Sequence, residues 1–432
     1  MRRFLIIGNG AAGLAAAEAI RGDAGRAGGD DITIVSDEPH PAYSRCLIPG
    51  VVAGELGFEA LSLRPPGFYG SLGFKTLFGR RVTGIDSARH RVILENGTGL
   101  EYDALLLATG ARPAPAGVPG SESPGVFSLR TYEDATRIAA AAEEASSAVV
   151  VGGGLVGLKA AVALRKRGLK VTVVVKSPWI LSKQLDRWGA VLVQEALAAL
   201  GIGFIFGQNP AEFAQKRGRL MGVRLEDGAR LAAGLVIVGK GVVPEVRLAR
   251  EAGINVAAGV LVDRHLRTSA PGVYAAGDCC EVSDLVTGER SPSALWTLAV
   301  EQGRLAGLNM AGRAAPYEGG LTRLNTVEFG GIPVASAGLV TARGNGFQEL
   351  SRSARGAYRK IILKDGRLVG AVLVGDISRA GVYAALIRRR AVVEGLEPEL
   401  LSARMGANHF PGALAALAGG PAVPQALEKM ES

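Results

Sequence analysis

Cysteine, histidine and aromatic residues are scarce in this chain of 432 residues, and each scarcity removes a class of function. There are three cysteines (Cys46, Cys279 and Cys280) and four scattered histidines. No C-x-x-C occurs and two of the cysteines are adjacent, so neither a disulfide framework nor a metal-ligand spacing can be assembled, and no metal site is expected. Aromatic residues make up 5% of the chain, and only the short run IRRR at 387–390 resembles the basic, aromatic-interleaved footprint of a nucleic-acid binder. The formal charge of +9 is modest for this length and suits a basic face for a dinucleotide or an acidic redox partner better than nucleic acid. No 18-residue apolar run free of charge and glycine clusters is present, so no membrane span is expected. The opening MRRFLIIGNGAAGLAAAEAI imitates a signal peptide, but its glycine spacing and Glu18 point to a different use, and a cytoplasmic location is expected.

Glycine and aliphatic residues are abundant instead. Hydrophobic residues account for 48% of the chain, enough for two or three domains with large cores. Sixty-one glycines without a collagen-like period indicate many tight turns and close backbone approaches to ligands. The strongest pattern is an internal repeat. Residues 3–37 read RFLIIGNGAAGLAAAEAIRGDAGRAGGDDITIVSD, and residues 147–176 read SAVVVGGGLVGLKAAVALRKRGLKVTVVVK. Each copy is an apolar run, a G-x-G-x-x-G turn, an alanine-rich helical stretch and a second β-branched run, which is the βαβ unit that binds dinucleotides.

The chemistry explains the spacing. Gly8 and Gly152 permit the sharp turn off the strand, Gly10 and Gly154 leave no Cβ in the way of a pyrophosphate, and Gly13 and Gly157 let the helix approach the sheet. Ala12 in the first copy, and Leu155 and Val156 in the second, open the helix whose N-terminus faces the anion. Two such units imply two dinucleotides. The second strand of the first copy ends in Asp37 and Glu38, either of which suits an adenosine ribose hydroxyl. The second copy has no acid there: Val175 ends the strand and Lys176 follows. That lysine either meets a 2′-phosphate, favouring NADP(H), or is solvated and leaves NAD(H) equally acceptable.

Further landmarks are YDALLLATGARP at 102–113 and GVYAAGDCCEV at 272–282. The order of glycine fingerprint, ATG, second fingerprint and GD resembles the FAD-dependent pyridine-nucleotide oxidoreductases with a glutathione-reductase-like fold. Within them it is similar to the flavin portion of NAD(P)H–nitrite reductases, rubredoxin reductases and NADH-acceptor flavoprotein subunits. The resemblance covers nearly the whole chain and implies an α/β fold: two Rossmann-like domains, for FAD and NAD(P), plus a C-terminal α+β domain. The expected FAD domain is split, 1–115 and 240–315, because Asp278 must return to the first cofactor. The NAD(P) domain is expected at 116–239, after the linker-like residues 111–125. The third domain, 316–432, contains an Asp-Gly hairpin within 358–376 and then turns helical; in the family it covers the flavin or forms a dimer interface.

The same resemblance assigns roles. Gly8, Gly10 and Gly13 would hold the FAD pyrophosphate, with Asp37 or Glu38 on its ribose, and the Val82 backbone would reach adenine. Thr109 and Gly110 would line the exit from the FAD domain, and Gly277 and Asp278 the ribityl chain or nearby phosphate. Arg45 matches an arginine that reaches the phosphates. Gly241 belongs with the nicotinamide side. Trp296, within 294–312, either borders the nicotinamide or is core. Lys159 stands where relatives usually carry glutamate near the nicotinamide, and lysine cannot accept the same hydrogen bonds.

Cys46, in AYSRCLIPG at 42–50, aligns with the redox cysteine of NADH oxidases and coenzyme A-disulfide reductases. It is either such a thiol or a small apolar neighbour of the flavin. Ala11 stands where the oxidase relatives often have histidine, and the C-x4-C pair of the disulfide reductases is absent, both of which favour the neighbour. Cys279 and Cys280 read as buried residues.

The function implied is an FAD-dependent NAD(P)H oxidoreductase that exchanges a hydride between nicotinamide and flavin. Its redox partner is expected to be a ferredoxin- or rubredoxin-like protein or an iron–sulfur subunit, in a homodimer or a hetero-oligomer. A Cys46-based disulfide reductase or oxidase, and a redox-sensing or assembly flavoprotein, are the alternative readings.

Overall fold

The computed structural model describes residues 1–22, 29–342, 344–354 and 356–402. The two copies of the repeat build two five-stranded sheets of the same kind. In the first, the order is Val273–Ala275, Ala104–Leu107, Arg3–Ile7, Asp31–Ser36 and Phe74–Phe78, all parallel. In the second it is Ile202–Phe206, Lys170–Val175, Ser147–Val151, Leu235–Val238 and Val126–Phe127, also parallel. The central strands read FLII and AVVV because helices cover both faces of such a sheet, which leaves no solvent side to alternate with. The crossover helices are Ala11–Arg21 and Leu155–Lys166.

The first sheet takes its last strand, Val273–Ala275, from beyond the second sheet in sequence, so the second unit is inserted into the first. The chain crosses between them twice. Ala111–Pro113, the start of the stretch that reads as a plain linker, pairs antiparallel with Val242–Pro244 on the way back. The crossings are therefore one short ribbon rather than loose chain, extended by Ala114 N–H donating to the Gly241 carbonyl at 2.9 Å.

The third unit is an antiparallel sheet in the order Leu324–Phe329, Ile332–Gly338, Arg367–Val374, Ala357–Lys364 and Phe347–Ala354, with the helix Ala380–Arg388 packed on it. Asp365 and Gly366, at φ of 50° and 68°, form the two-residue turn expected from Asp-Gly. Both left-handed residues match the twist of the flanking strands. No helix among the described residues is long and apolar enough to cross a membrane.

The helix Trp296–Met310 crosses the first fingerprint helix at very short range. A Cβ added at Gly303 would lie 2.1 Å from the Ala12 carbonyl oxygen, and one at Gly307 would lie 2.4 Å from that of Ala16. Both obstacles are backbone and cannot rotate away. Gly303→Val is therefore expected to cost about 1–3 kcal/mol through overpacking, read as a lower denaturation midpoint with an unchanged denaturant slope.

Candidate functional site

The two glycine turns have the same geometry. Gly8 and Gly152 sit at φ of 110° and 118°, where a side chain is strained. A Cβ on Gly8 would lie 2.1 Å from the Ala108 carbonyl oxygen, and one on Gly152 would lie 2.3 Å from that of Gly239. The third glycines lock each helix onto its own turn: the hypothetical Cβ of Gly13 lies 1.9 Å from Gly8 O, and that of Gly157 lies 2.1 Å from Gly152 O. The middle glycines differ in kind, because a Cβ on Gly10 or Gly154 meets nothing within 4 Å. Each opens onto space beside a helix N-terminus with no side-chain cap. The first helical N–H groups are thus free to receive an anion.

A buried atom supports the same fit. Asn9, between Gly8 and Gly10, accepts a hydrogen bond at Oδ1 from the Tyr69 hydroxyl at 3.0 Å. Its Nδ2 is buried without a protein partner. A buried amide donor left open beside the unobstructed Gly10 suits a nucleotide oxygen. Asn9 and Tyr69 were not recognisable from the spacing, since the middle of G-x-G takes any residue.

Around this cradle, Asp37 is largely exposed, 3.9 Å from Arg81. Glu38 is committed elsewhere: its carboxylate accepts from the Tyr43 hydroxyl and the Arg45 guanidinium. Of the two acids, Asp37 is the more exposed, with a single long contact to Arg81. Val82 begins the strand Val82–Asp86 and is buried. Thr109 Oγ1 donates to the Glu245 carbonyl at 2.7 Å, and Gly110 turns the chain at φ 71°. Gly277 N–H donates to Gln302 Oε1 at 2.9 Å, which fixes the turn that presents Asp278. Asp278 is paired with Arg130 at 2.8 Å, and both side chains are mostly buried. Arg130 also accepts, at its carbonyl, a 2.9 Å hydrogen bond from Arg45. Arg130 is a site residue that sequence reasoning missed; its only local signal is its place just before the Thr131 capping box of a helix.

All three units meet at one cavity of about 580 Å³. Arg45, Cys46 and Trp296 line it from the first unit, Leu155, Val156, Lys159 and Gly241 from the second, and the strand Leu324–Phe329 contributes from the third. Seven of the residues singled out in the sequence therefore share one wall system, and Trp296 borders the cavity rather than filling a core. Lys176 stands apart. It is exposed and in no ion pair among the described residues, while Val175 is buried against Gly153, whose hypothetical Cβ lies 2.9 Å from both Val175 methyls.

Every charged side chain lining the cavity is a cation: Arg45, Arg130 and Lys159. Arg45 and Arg130 are paired with Glu38 and Asp278. Lys159 Nζ donates to the Glu328 carbonyl at 2.6 Å and lies 5.3 Å from the Phe329 ring centre. Burial pulls its ammonium below the ordinary value, against the pull of the Glu328 carboxylate. The lysine that replaces the usual glutamate therefore ties the second unit to the third.

Cys46 is solvent-accessible at the cavity wall, yet desolvation in the cleft raises its thiol pKa, opposed by Arg130. Cys279 and Cys280 are fully buried, with thiols donating to the carbonyls of Leu107 at 3.3 Å and Gly277 at 3.2 Å. Neither can resolve a disulfide at Cys46 without unpacking the core. Among the described residues no group of histidine, cysteine or carboxylate side chains could hold a metal ion.

Comparison with known proteins agrees with this geometry. Residues 2–303 match the family described as pyridine nucleotide-disulphide oxidoreductase, and residues 323–391 match the rubredoxin NAD+ reductase C-terminal domain. The chain is 32% identical over 407 residues to the assimilatory nitrate reductase electron transfer subunit of Bacillus subtilis, an alignment covering 92% of this chain and 51% of that protein. It is 33% identical over 392 residues to the epsilon subunit of the NADH-dependent phenylglyoxylate dehydrogenase of Aromatoleum evansii, covering 90% of this chain and 92% of that one. It spans about half the length of the first curated relatives it matches. Among solved structures, the ferredoxin reductase for the CYP199A2 system of Rhodopseudomonas palustris superposes with a TM-score of 0.85 at 28% identity, covering 95% of this chain and 99% of that one.

Two outcomes are expected from these contacts. Alkylation of Cys46 by iodoacetamide should be slower at pH 7 than that of an ordinary thiol. Because the thiolate is the nucleophile and its pKa is raised, the rate should still be climbing above the pH at which a free cysteine levels off. Arg130→Met should cost about 3 kcal/mol in chemical denaturation by stranding the Asp278 carboxylate, and adding Asp278→Leu should restore part of the loss.

Proposed function

We propose, because the chain belongs to the pyridine nucleotide-disulphide oxidoreductase family, that this NAD(P)H oxidoreductase holds FAD on its first glycine turn and NAD(P)H on its second, and passes electrons to an iron–sulfur protein. The carrying observation is that one chain holds two glycine turns of matching geometry, and that residues of both units, Arg45 and Trp296 from the first and Leu155, Val156 and Lys159 from the second, line a single cavity. When bound, the flavin supplies hydride exchange with nicotinamide and release of single electrons, which suits it to a one-electron carrier.

The chain's own residues bind, orient and exclude water. Gly10 and the free N–H groups at the start of the helix Ala11–Arg21 receive the FAD pyrophosphate, with the Asn9 amide donating to it and Asp37 on the ribose. Gly154, Leu155 and Val156 do the same for the nicotinamide dinucleotide. Glu38 and Asp278 fix the Arg45 and Arg130 guanidiniums, so these hold a preset positive field at the cavity without searching for a geometry. The apolar wall from the third unit keeps bulk water from the meeting point. No cluster-binding set occurs among the described residues, so the cluster belongs to a partner protein or subunit. The relatives named as an electron transfer subunit and as a ferredoxin reductase support this partner class. The raised Cys46 thiol and the burial of the other two cysteines do not favour the disulfide-reductase alternative.

An anaerobic titration tests the reading: the purified protein should be yellow and should bleach on adding NADPH or NADH. A colourless protein that takes up no flavin would overturn it. The exposed Lys176 and the absence of an acid at Val175 support acceptance of NADPH. Lys176→Asp is expected to lower kcat/KM for NADPH about tenfold relative to NADH, the scale of one exchanged charge contact. An unchanged ratio would show that Lys176 is only solvated.

A further inference from the structure

The cavity wall is not electrically neutral, and the imbalance rests on one side chain. Arg45 and Arg130 are each paired with a shielded carboxylate, Glu38 and Asp278, so each pair projects little net charge. Lys159 is in no ion pair among the described residues. Its ammonium is held instead by groups without formal charge, the Glu328 carbonyl oxygen at 2.6 Å and the Phe329 ring at 5.3 Å. Both partners end the strand Leu324–Phe329, whose earlier residues border the cavity. Two further charges act on Lys159. The Glu328 carboxylate is exposed, accepts from the Gly331 N–H and is screened by water. Lys166, two turns along the helix, has the same sign as Lys159 and is itself paired with Glu55. What remains at the wall is a half-buried cation whose place is set and whose charge is not cancelled.

Position along the helix says which ligand feels this charge. Lys159 follows Leu155 by four residues, so the two share a face of the helix Leu155–Lys166, and both line the cavity. A dinucleotide whose pyrophosphate sits at the helix start reaches this wall with the rest of its length, since the wall begins one residue after Gly154. The nicotinamide ring changes its charge with its redox state. The reduced ring is neutral, and loss of a hydride, an electron pair with its proton, to the flavin leaves the oxidised ring a cation. A fixed positive charge on the wall is nearly indifferent to the first form and repels the second. The adenosine, riboses and phosphates are the same in both forms and cannot tell them apart.

We propose that Lys159 makes the second nucleotide site select by redox state, holding NAD(P)H and expelling NAD(P)+. This deepens the reading given under Proposed function and rests on it. The positive charge of the product is created near one already in place, so hydride transfer loosens the nucleotide it has just oxidised. The site then empties for the next NAD(P)H and resists inhibition by the oxidised form. Lys159 thus has two tasks: its contacts fasten the second unit to the third, and its charge discriminates between ligands.

The test is a ratio of two dissociation constants, measured without turnover. The oxidised, flavin-loaded protein is titrated calorimetrically with NADP+ and with tetrahydro-NADPH, whose ring is uncharged and yields no hydride. The same titrations are run with NAD+ and tetrahydro-NADH. The parent is expected to bind the tetrahydro form about tenfold more tightly than the oxidised form, the scale of one unit charge across a partly desolvated cleft. Lys159→Gln should bring the two constants within about twofold of each other, Lys159→Arg should keep the parent's ratio, and Lys159→Glu should favour the oxidised form. In steady state, the inhibition constant of NADP+ against NADPH should fall in Lys159→Gln by the factor that its binding ratio loses. If Lys159 is only a fastening, its removal weakens both forms alike and leaves the ratio where it was, which overturns the proposal. A parent ratio near one overturns it as well. A protein that binds neither nucleotide pair in either form fails the underlying reading instead, and is told apart from these results by the absence of any binding.

Discussion

Backbone pressed on backbone without an intervening side chain is the constraint on which this structure depends. At Gly8 and Gly152 the turn leaving a parallel strand passes so close to the carbonyl just beyond the neighbouring strand that a Cβ there would clash with it, and at Gly13 and Gly157 the helix returns onto that same turn. A methyl group at any of the four would collide with atoms that have no rotamer to escape into. The reward is a helix end that starts close to the sheet edge with its N–H groups unspent. The same device recurs where Gly303 and Gly307 let a later helix lie against the first fingerprint helix. That contact brings Gln302, and through it the Gly277–Asp278 turn, back to the first cradle.

Charge at the site is arranged in layers. The cavity wall presents cations, and the acids that balance two of them sit one step behind. Because Glu38 and Asp278 are themselves shielded from water, the guanidiniums are held rather than screened. Lys159 is handled differently, by a carbonyl and an aromatic ring of the third unit. Its ammonium thereby becomes a fastening between the second fingerprint helix and the sheet that walls the cavity. A second fastening is Asp186, which caps the helix Arg187–Ala199 and accepts from the Tyr358 hydroxyl at 2.6 Å.

What the sequence made legible follows from the range of the interactions involved. The glycine turns, their helices and the Asp-Gly hairpin are each settled within a few residues, and all stand as the pattern implies. The pairing of Arg130 with Asp278 spans 148 positions and leaves no trace in spacing. The Pro- and Gly-rich start of 111–125 reads as a linker because proline lacks a ladder donor, yet Pro113 sits opposite Val242 in a ribbon where that donor is not needed. Asp37 and Glu38 were equivalent in sequence. Only the position of Arg45 and Tyr43 shows that one of them is already engaged.

The ribbon of Ala111–Pro113 with Val242–Pro244 means that the inserted stretch leaves and rejoins its host at hydrogen-bonded neighbours. Topologically it is a cassette: its two ends are about one strand spacing apart, roughly 5 Å, so the host sheet closes without it across a short turn. A chain built this way can exchange one such cassette for another without re-threading the fold that receives it.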